Sequence, residues 1–375
     1  MDQLINTQQI IHDAEAALNS PTVHITDVRA ELSEGGPNDY YSNGDYWWPN
    51  PNSRDGLPYV RRDGESNPNN FNAHRKILRT FRSSVAALAA GYLITGNKAY
   101  AAKACQFVRE FLLDERTKMN PSLLYSQAIP GICSGRSIGI IDTLHMIDVP
   151  KALAVLQNAP GVDQEVIAGA RGWFAQYLHW MLTHPYGIQE MNADNNHSVC
   201  WFVQAAVYAE FTGNLSVLEM CREKYKTVLL PQQMALDGSF PRELERTKPY
   251  GYSIFVLDNM AVLCQVLSTP EDNLWEYELA DGRGIKLGFE FLYPYLVNKA
   301  SWPYPSDVMH HDAWPVAMPS FLFAGLALRD KRLIALWHKL DQNPQNDEVR
   351  RNIGIRQPIL WVDQIRELYK AAVSA

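Results

Sequence analysis

The chain has 375 residues, with 34 Lys and Arg against 41 Asp and Glu (34 − 41 = −7), and five cysteines. That length buries a large core, and the acidic balance excludes a general binder of nucleic acid or anionic membrane, whose affinity rests on a basic surface; a polyanionic substrate would need positive charge gathered in one cleft. No cysteine pair has CxxC spacing and the odd count argues against a disulfide framework, so neither disulfides nor a cysteine metal site are expected.

Taken from the N-terminus, Met1 to Leu4 lacks the basic and apolar regions of a secretory leader. No run of about 18 apolar residues marks a membrane span anywhere. The expectation is a soluble protein, cytoplasmic as given, or periplasmic or secreted if a leader has been removed. Residues Glu34–Asn70 are rich in Gly, Pro, Asn and Asp and predict a long loop, ordered because Tyr46, Trp47, Trp48, Leu57 and Tyr59 need burial or a ligand. Leu78, Phe81, Val85, Leu88 and Tyr92 then recur at steps of three and four, which predicts one apolar helix face. That helix ends at Thr95-Gly96-Asn97, where glycine suits the left-handed C-terminal cap.

Met119–Arg136 and His184–Asn196 interrupt the helical pattern. A second helix, starting near Val199 and carrying Trp201, Ala205, Tyr208 and Phe211 on one face, ends at Thr212-Gly213-Asn214 and so echoes the first. Asp237–Tyr252 breaks the pattern again before an apolar helical run over Ile254–Leu267. Tyr293–Pro319 is the last break, and Leu333, Leu336 and Leu340 mark a later helix. Alternating strand-length runs are scarce. The expected fold class is all-α: one domain over residues 1–375, an α/α toroid (an incomplete α/α barrel) of antiparallel helical hairpins, its loops gathered at one end to line a cleft.

Two segments carry chemistry. Asn192–Ser198 runs straight into a helix, and Asn195 or Asn196 makes a good N-cap, but capping leaves His197 unexplained. Asn and His at a helix N-terminus both donate hydrogen bonds to an anion, reinforced by the helix dipole. Arg242–Ser253 adds Arg246, Lys248, Tyr250 and Tyr252.

Together Asn196, His197, Arg246 and Tyr252 suit β-elimination from a 4-linked uronate. The C5 proton lies beside a carboxylate whose charge opposes carbanion formation, so donors such as Asn196 and Arg246 must neutralise it. A tyrosine base, with an ordinary pKa of about 10, needs positive charge nearby, from Arg246, Lys248 or a protonated His197. In β-mannuronate and β-glucuronate the C5 proton and the O4 leaving group share a ring face, so one tyrosine serves as base and acid. In guluronate they lie on opposite faces, and His197 would be the base with Tyr252 as acid.

Further candidates are Asn120, Gln127 and Arg136 for sugar hydroxyls or carboxylates, and Trp47, Trp48, Tyr304 and Trp314 for stacking on sugar faces, against the alternative of packed core aromatics. His310 is a candidate cleft residue. His310-His311-Asp312 hints at a metal, but adjacent histidines rarely converge on one ion. No metal and no cofactor are expected.

Asn-Asn-His before a helix, with Arg246 and Tyr252 downstream, resembles the alginate lyase superfamily of polysaccharide lyases. Asp45–Pro51 (Asp-Tyr-Trp-Trp-Pro-Asn-Pro), continuing through Asp55–Gly64, is similar more specifically to polysaccharide lyase family 38. So are Asn120-Pro121, Gln127–Gly131, Gly135-Arg136 and Gly139–Thr143, and the resemblance runs from Asp45 to Trp314. It implies an α/α toroid with a cleft for an acidic polysaccharide or oligosaccharide. It also implies metal-independent elimination on alginate (polymannuronate) or glucuronan. By that resemblance Asn196 neutralises the carboxylate, His197 is base or stabiliser, Arg246 assists, and Tyr252 is base and acid. Tyr250, two residues away, is the alternative tyrosine and a candidate substrate contact. The competing readings are a glycoside hydrolase using a pair among Glu190, Asp194, Glu243 and Glu245, and a non-catalytic glycan-binding protein.

Overall fold

The structure is a computed structural model that describes residues 4–373; residues 1–3, read above for a leader, and residues 374–375 lie outside the described residues. Its helices in chain order begin with α1 (Thr7–Asn19), α2 (Ala73–Thr95), α3 (Lys98–Val108), α4 (Asp148–Leu156), α5 (Gln164–Thr183), α6 (Pro185–Met191), α7 (Asn196–Thr212) and α8 (Leu215–Lys224). There follow α9 (Leu230–Gln233), α10 (Pro241–Leu244), α11 (Pro249–Leu267), α12 (Ile285–Val297), α13 (Pro319–Ala327), α14 (Lys331–Lys339), α15 (Asp347–Arg351) and α16 (Asp363–Val373).

The periodic positions point inward as their spacing dictates. Leu78, Phe81, Val85 and Leu88 of α2 are buried, and Phe81 stacks on Phe111 with ring centroids 4.0 Å apart. Trp201, Ala205, Tyr208 and Phe211 of α7 are buried likewise. Helix α2 packs against α1, α3 and α4, α7 against α5, α8 and α11, and α11 against α13, which is backed by α14. Helices α2 and α11 are long and apolar enough to cross a membrane on length and mean hydropathy alone (1.2 and 1.3), although charged residues such as Arg82 and Asp258 interrupt them; both are mostly buried inside the protein.

The repeated Thr-Gly-Asn is a two-residue turn between helices. Gly96 and Gly213 sit at φ 68° and 72° as left-handed C-caps of α2 and α7. The next residue, Asn97 or Asn214, then accepts a backbone N–H to cap α3 or α8. Nothing stands within 4 Å of a Cβ added at Gly213, so only backbone strain opposes a side chain there. Gly213→Ala is expected to cost about 1–2 kcal/mol in urea denaturation; an unchanged midpoint would contradict the cap assignment.

The breaks hold more structure than the sequence pattern conveys. Within the first loop and Met119–Arg136 lie β1 (Tyr41–Asn43), β2 (Trp47–Trp48), β3 (Val60–Arg61) and β4 (Tyr125–Ala128). Strand β1 pairs parallel with β4, Tyr41 opposite Tyr125, and β2 pairs antiparallel with β3, Trp47 opposite Arg61. Strands this short carry no readable alternation. His184–Asn196 contains α6, started by Pro185 at its first turn with His184 Nδ1 accepting from the Tyr186 N–H. Helix α11 begins at Pro249 rather than Ile254, and α7 at Asn196 rather than Val199. Both shifts place a candidate residue, Tyr252 or His197, in the first turn of a helix.

Candidate active site

A cavity of about 580 Å³ lies where these helix starts meet the first loop. Its wall takes Asp45, Tyr46, Trp47 and Arg61 from that loop, Gln127 and Arg136 from the second, Asn195, Asn196 and His197 at the start of α7, and Arg246 and Tyr252 around the start of α11. Helix α2 contributes Asn72, Arg75, Lys76 and Arg79, and α15 contributes Asp347, Glu348 and Arg351. Seven arginines and lysines line it (Arg61, Arg75, Lys76, Arg79, Arg136, Arg246, Arg351) against five carboxylates (Asp45, Asp142, Asp194, Asp347, Glu348). The cavity of this acidic chain is therefore net positive, as a polyanion requires.

Asn195, not Asn196, is the cap of α7: its side chain accepts the His197 N–H at 3.1 Å. Asn196 is thus free for other work. Its backbone N–H donates to Glu243 Oε1 at 2.9 Å and its Nδ2 to Glu243 Oε2 at 2.7 Å. One Nδ2 hydrogen is left over. Glu243 has no exposure, and burial raises its carboxyl pKa despite the two Asn196 donors.

His197 Nδ1 donates to Glu190 Oε1 at 2.6 Å, and Glu190 is itself 1% exposed. Burial opposes an imidazolium here, yet the Glu190 carboxylate outweighs it and raises the His197 pKa. With Nδ1 so engaged, Nε2 is the nitrogen left without a hydrogen bond among the described residues.

Arg246 reaches back to the first loop, donating to both Asp63 oxygens (3.2 Å from Nε, 2.9 Å from Nη2). Burial would raise the Asp63 pKa, but Arg246 and Arg61 hold the carboxyl well below the usual range. The Arg246 guanidinium also sits 4.9 Å from the Tyr252 ring centroid. The Tyr252 hydroxyl pairs with the Tyr46 hydroxyl at 2.5 Å. Burial and Tyr46 push the Tyr252 pKa well above 10, outweighing the pull of Arg246 and Arg351. At rest Tyr252 is a phenol. The expected lowering by Lys248 is absent, because Lys248 Nζ is committed to Glu348 at 2.7 Å and lies 5.2 Å from the ring of Tyr46 instead.

Gln127, at φ 49°, accepts from Arg136 through its backbone oxygen (2.9 Å) and its side chain (3.1 Å), and donates to Asp142 at 3.1 Å. Arg136 in turn faces the Trp47 ring at 5.7 Å. The structure thus brings Trp47, Gln127, Arg136, Asn196, His197, Arg246 and Tyr252 to one cavity.

Five other candidates do not line it. Tyr250 is fully buried, its hydroxyl donating to the Tyr295 carbonyl at 3.0 Å and its ring edge-on to Trp302. Asn120 donates to Asp39 at 2.8 Å, and Trp48 donates to the Glu65 carbonyl and packs under Arg62. His310 pairs with Asn346 at 3.2 Å, and Trp314 is buried against Gly251. Tyr304, also outside the wall, packs against Trp302 with the rings tilted at 54°. His311 accepts the Asp307 N–H, so the two adjacent histidines face different partners, and no group of three or more His, Cys, Asp or Glu poised for a metal occurs among the described residues.

Sequence reading missed Tyr46, Asp63, Asp142, Arg75 and Arg351. Asp45 joins Arg75 to Arg351, and Asp142 accepts from Arg75, Ser42, Tyr40 and Gln127. The quoted segments Asp45–Pro51 and Gly139–Thr143 contain two of these hubs, and their density of polar residues beside aromatics was the available signal.

A helical frame around a net positive cleft meets what a polysaccharide lyase needs to hold a polyanionic chain. The chain belongs to the alginate lyase family, whose sequence model, described as alginate lyase, matches residues 25–302. Among solved structures, the chain is similar to an alginate lyase from Bacteroides ovatus, at 31% identity and TM-score 0.81 over 93% of this chain and 92% of that one. It also resembles alginate lyase A1-III from Sphingomonas species A1 (15% identity, TM-score 0.54, 96% and 95% covered). A histidine-to-alanine variant of A1-III complexed with tetrasaccharide is similar at 15% identity and TM-score 0.57 over 96% and 94% of the two chains, and these two likenesses speak for the fold alone. No curated protein sequence matches the chain.

Proposed function

We propose that the protein cleaves a 4-linked uronate polymer, polymannuronate or glucuronan, by β-elimination without a metal, on a single domain built as an incomplete α/α toroid. The successive packing of α2, α4, α7, α11 and α13 supports the toroid. The Trp-Trp-Pro segment, with Trp47 in the cleft wall, supports a place in polysaccharide lyase family 38.

One observation carries the reaction: Tyr252, His197 and Asn196 edge the same net positive cavity. The uronate carboxylate is neutralised by the second Asn196 amide hydrogen and a His197 imidazolium at the positive end of α7. Arg246, held by Asp63, acts on the Tyr252 ring rather than on the carboxylate. For Tyr252 to take the C5 proton it must first ionise; Arg246 and Arg351 favour the phenolate, against burial and the neighbouring Tyr46 hydroxyl, which raise its pKa. The protonated Tyr252 then returns a proton to O4. A second reading, with neutral His197 as base and Tyr252 as acid on guluronate, is favoured by the resting phenol and by the unbonded His197 Nε2.

The hydrolase reading fares less well. Glu190 and Glu243 are buried behind His197 and Asn196 and spent on them, and Glu245 is exposed outside the cavity wall. That leaves Asp194, exposed at the rim and paired with Arg242 at 3.5 Å, as the one candidate carboxylate that lines the cavity, where the reaction needs two. Separate incubation with polymannuronate, polyguluronate and glucuronan decides the matter. Ultraviolet absorbance of an unsaturated uronate from the first or third supports the proposal, from the second alone the His197-base reading. New reducing ends without that absorbance would overturn both.

Glu190→Gln gives the pH test. Removing the anion that raises the His197 pKa lowers it, so a required imidazolium is lost at lower pH and the alkaline limb of kcat/KM moves down. If neutral His197 is the base, the acid limb moves down instead.

A further inference from the structure

The cations of the cavity are not equivalent. Arg75, Arg136, Arg246 and Arg351 are all held by Asp45, Asp142, Gln127, Asp63 or Glu348. Arg79 lines the same cavity, and its guanidinium has no hydrogen bond or ion pair among the described residues. It is partly buried, and its charged neighbours are Arg75 and Arg351, with one carboxylate, the exposed Asp347, beyond contact distance. Leaving a cation half out of water with like charges beside it and no counter-ion costs free energy that the fold does not recover internally.

The placement is regular. Asn72, Arg75, Lys76 and Arg79 follow at i, i+3, i+4 and i+7, so α2 turns one polar, cationic stripe to the cavity while Leu78, Phe81 and Val85 face the core. Arg79 stands one helical turn, about 6 Å, beyond Arg75 along α2. The carboxylate of the sugar being cleaved is assigned above to Asn196 and His197 at the start of α7, so an anion held by Arg79 on α2 is a different one.

We propose that Arg79, assisted by Lys76, is a second carboxylate-binding subsite that holds a uronate elsewhere in the same chain of sugars. Building on the function proposed above, this makes recognition depend on substrate length and on charge away from the bond that breaks. A guanidinium in a half-buried cleft suits a planar carboxylate, which it binds through two parallel N–H donors.

The test is calorimetric titration of the full chain carrying Tyr252→Phe, alone and combined with Arg79→Met or Arg79→Lys. The probes are dimannuronate, tetramannuronate and carboxyl-reduced tetramannuronate. Arg79→Met is expected to weaken tetramannuronate binding about 10- to 100-fold, the loss of one charge-assisted contact. Dimannuronate and the reduced tetramer should bind as before, and Arg79→Lys should recover part of the loss. Equal weakening of all three probes would mark a structural role for Arg79 and overturn the subsite, as would no change in any. Elimination is read separately from the unsaturated product of the wild type on polymannuronate. Length- and charge-dependent binding without that product would keep the subsite and sink the lyase mechanism; product with unchanged binding in the variant would do the reverse.

Discussion

Tyr252→Phe is expected to remove about 10²–10⁴-fold of kcat on the preferred polymer with little change in KM. The substitution deletes one oxygen and leaves the ring, so the 4.9 Å contact with Arg246 and the packing of the first turn of α11 persist. What disappears is the hydroxyl that exchanges the proton, the one paired with the Tyr46 hydroxyl at 2.5 Å. Tyr46→Phe should cost less, since it removes the hydroxyl partner of Tyr252 but not the base. Equal losses for the two would mean that the pair shares the proton-transfer role. A fully active Tyr252→Phe would move the chemistry to His197. The unsaturated product, followed with initial rates over a range of substrate, separates the outcomes.

The second large effect concerns stability. Asp148→Ala is expected to destabilise the protein by about 3–5 kcal/mol, the cost of breaking a buried ion pair by deleting one partner. Arg82 is 2% exposed and donates to Asp148 at 3.2 Å and to His145 Nδ1 at 2.8 Å. Asp148 also accepts from the Arg356 N–H and the Trp361 indole, both at 2.8 Å. It therefore fastens the segment before α16 to α2 and α4. Burial pushes the two partners toward neutrality, Asp148 upward and Arg82 down to about 10, so the pair is costly to bury yet costlier to break. Urea denaturation should accordingly show Arg82→Met/Asp148→Asn, which keeps an acceptor for Arg356 and Trp361, less destabilised than Asp148→Ala alone. A loss below about 1 kcal/mol, the range of an exposed pair, would refute this account.

The helices were legible because their signal is local. Period and cap lie within a few residues, so α2, α7 and the Gly96 and Gly213 turns follow from neighbours in the chain. The start of α7 shows the limit: three polar residues, Asn196, His197 and Ser198, precede its apolar run, and only the Asn195 cap reveals that they are already helical. Residue chemistry could nominate Asn196, His197, Arg246 and Tyr252, which the fold brings to one cavity. It could not say what holds them. Asp63 meets Arg246 across 183 residues of sequence, and Tyr46 meets Tyr252 across 206. No periodicity encodes such pairings. Glu190 and Glu243 drew attention as carboxylates near the site, but their burial, which turns them into anchors, is a property of packing. Tyr250 and Tyr252 differ by two positions on one helix, hence by slightly more than a half-turn, and that rotation sends one hydroxyl to the core and the other to the cavity.

The pairing of most cavity cations with resident carboxylates has a consequence for how a polyanion enters. Such a cleft works as an ion exchanger already loaded with its own fixed counter-ions: Asp45, Asp63 and Glu348 occupy Arg75, Arg246 and Arg351 before any sugar arrives. An incoming carboxylate displaces no mobile salt from those sites. Dissolved ions can compete mainly at the cations left open, Arg79 and the exposed Lys76. The salt sensitivity of binding should then count the open cations rather than the whole positive charge of the cleft.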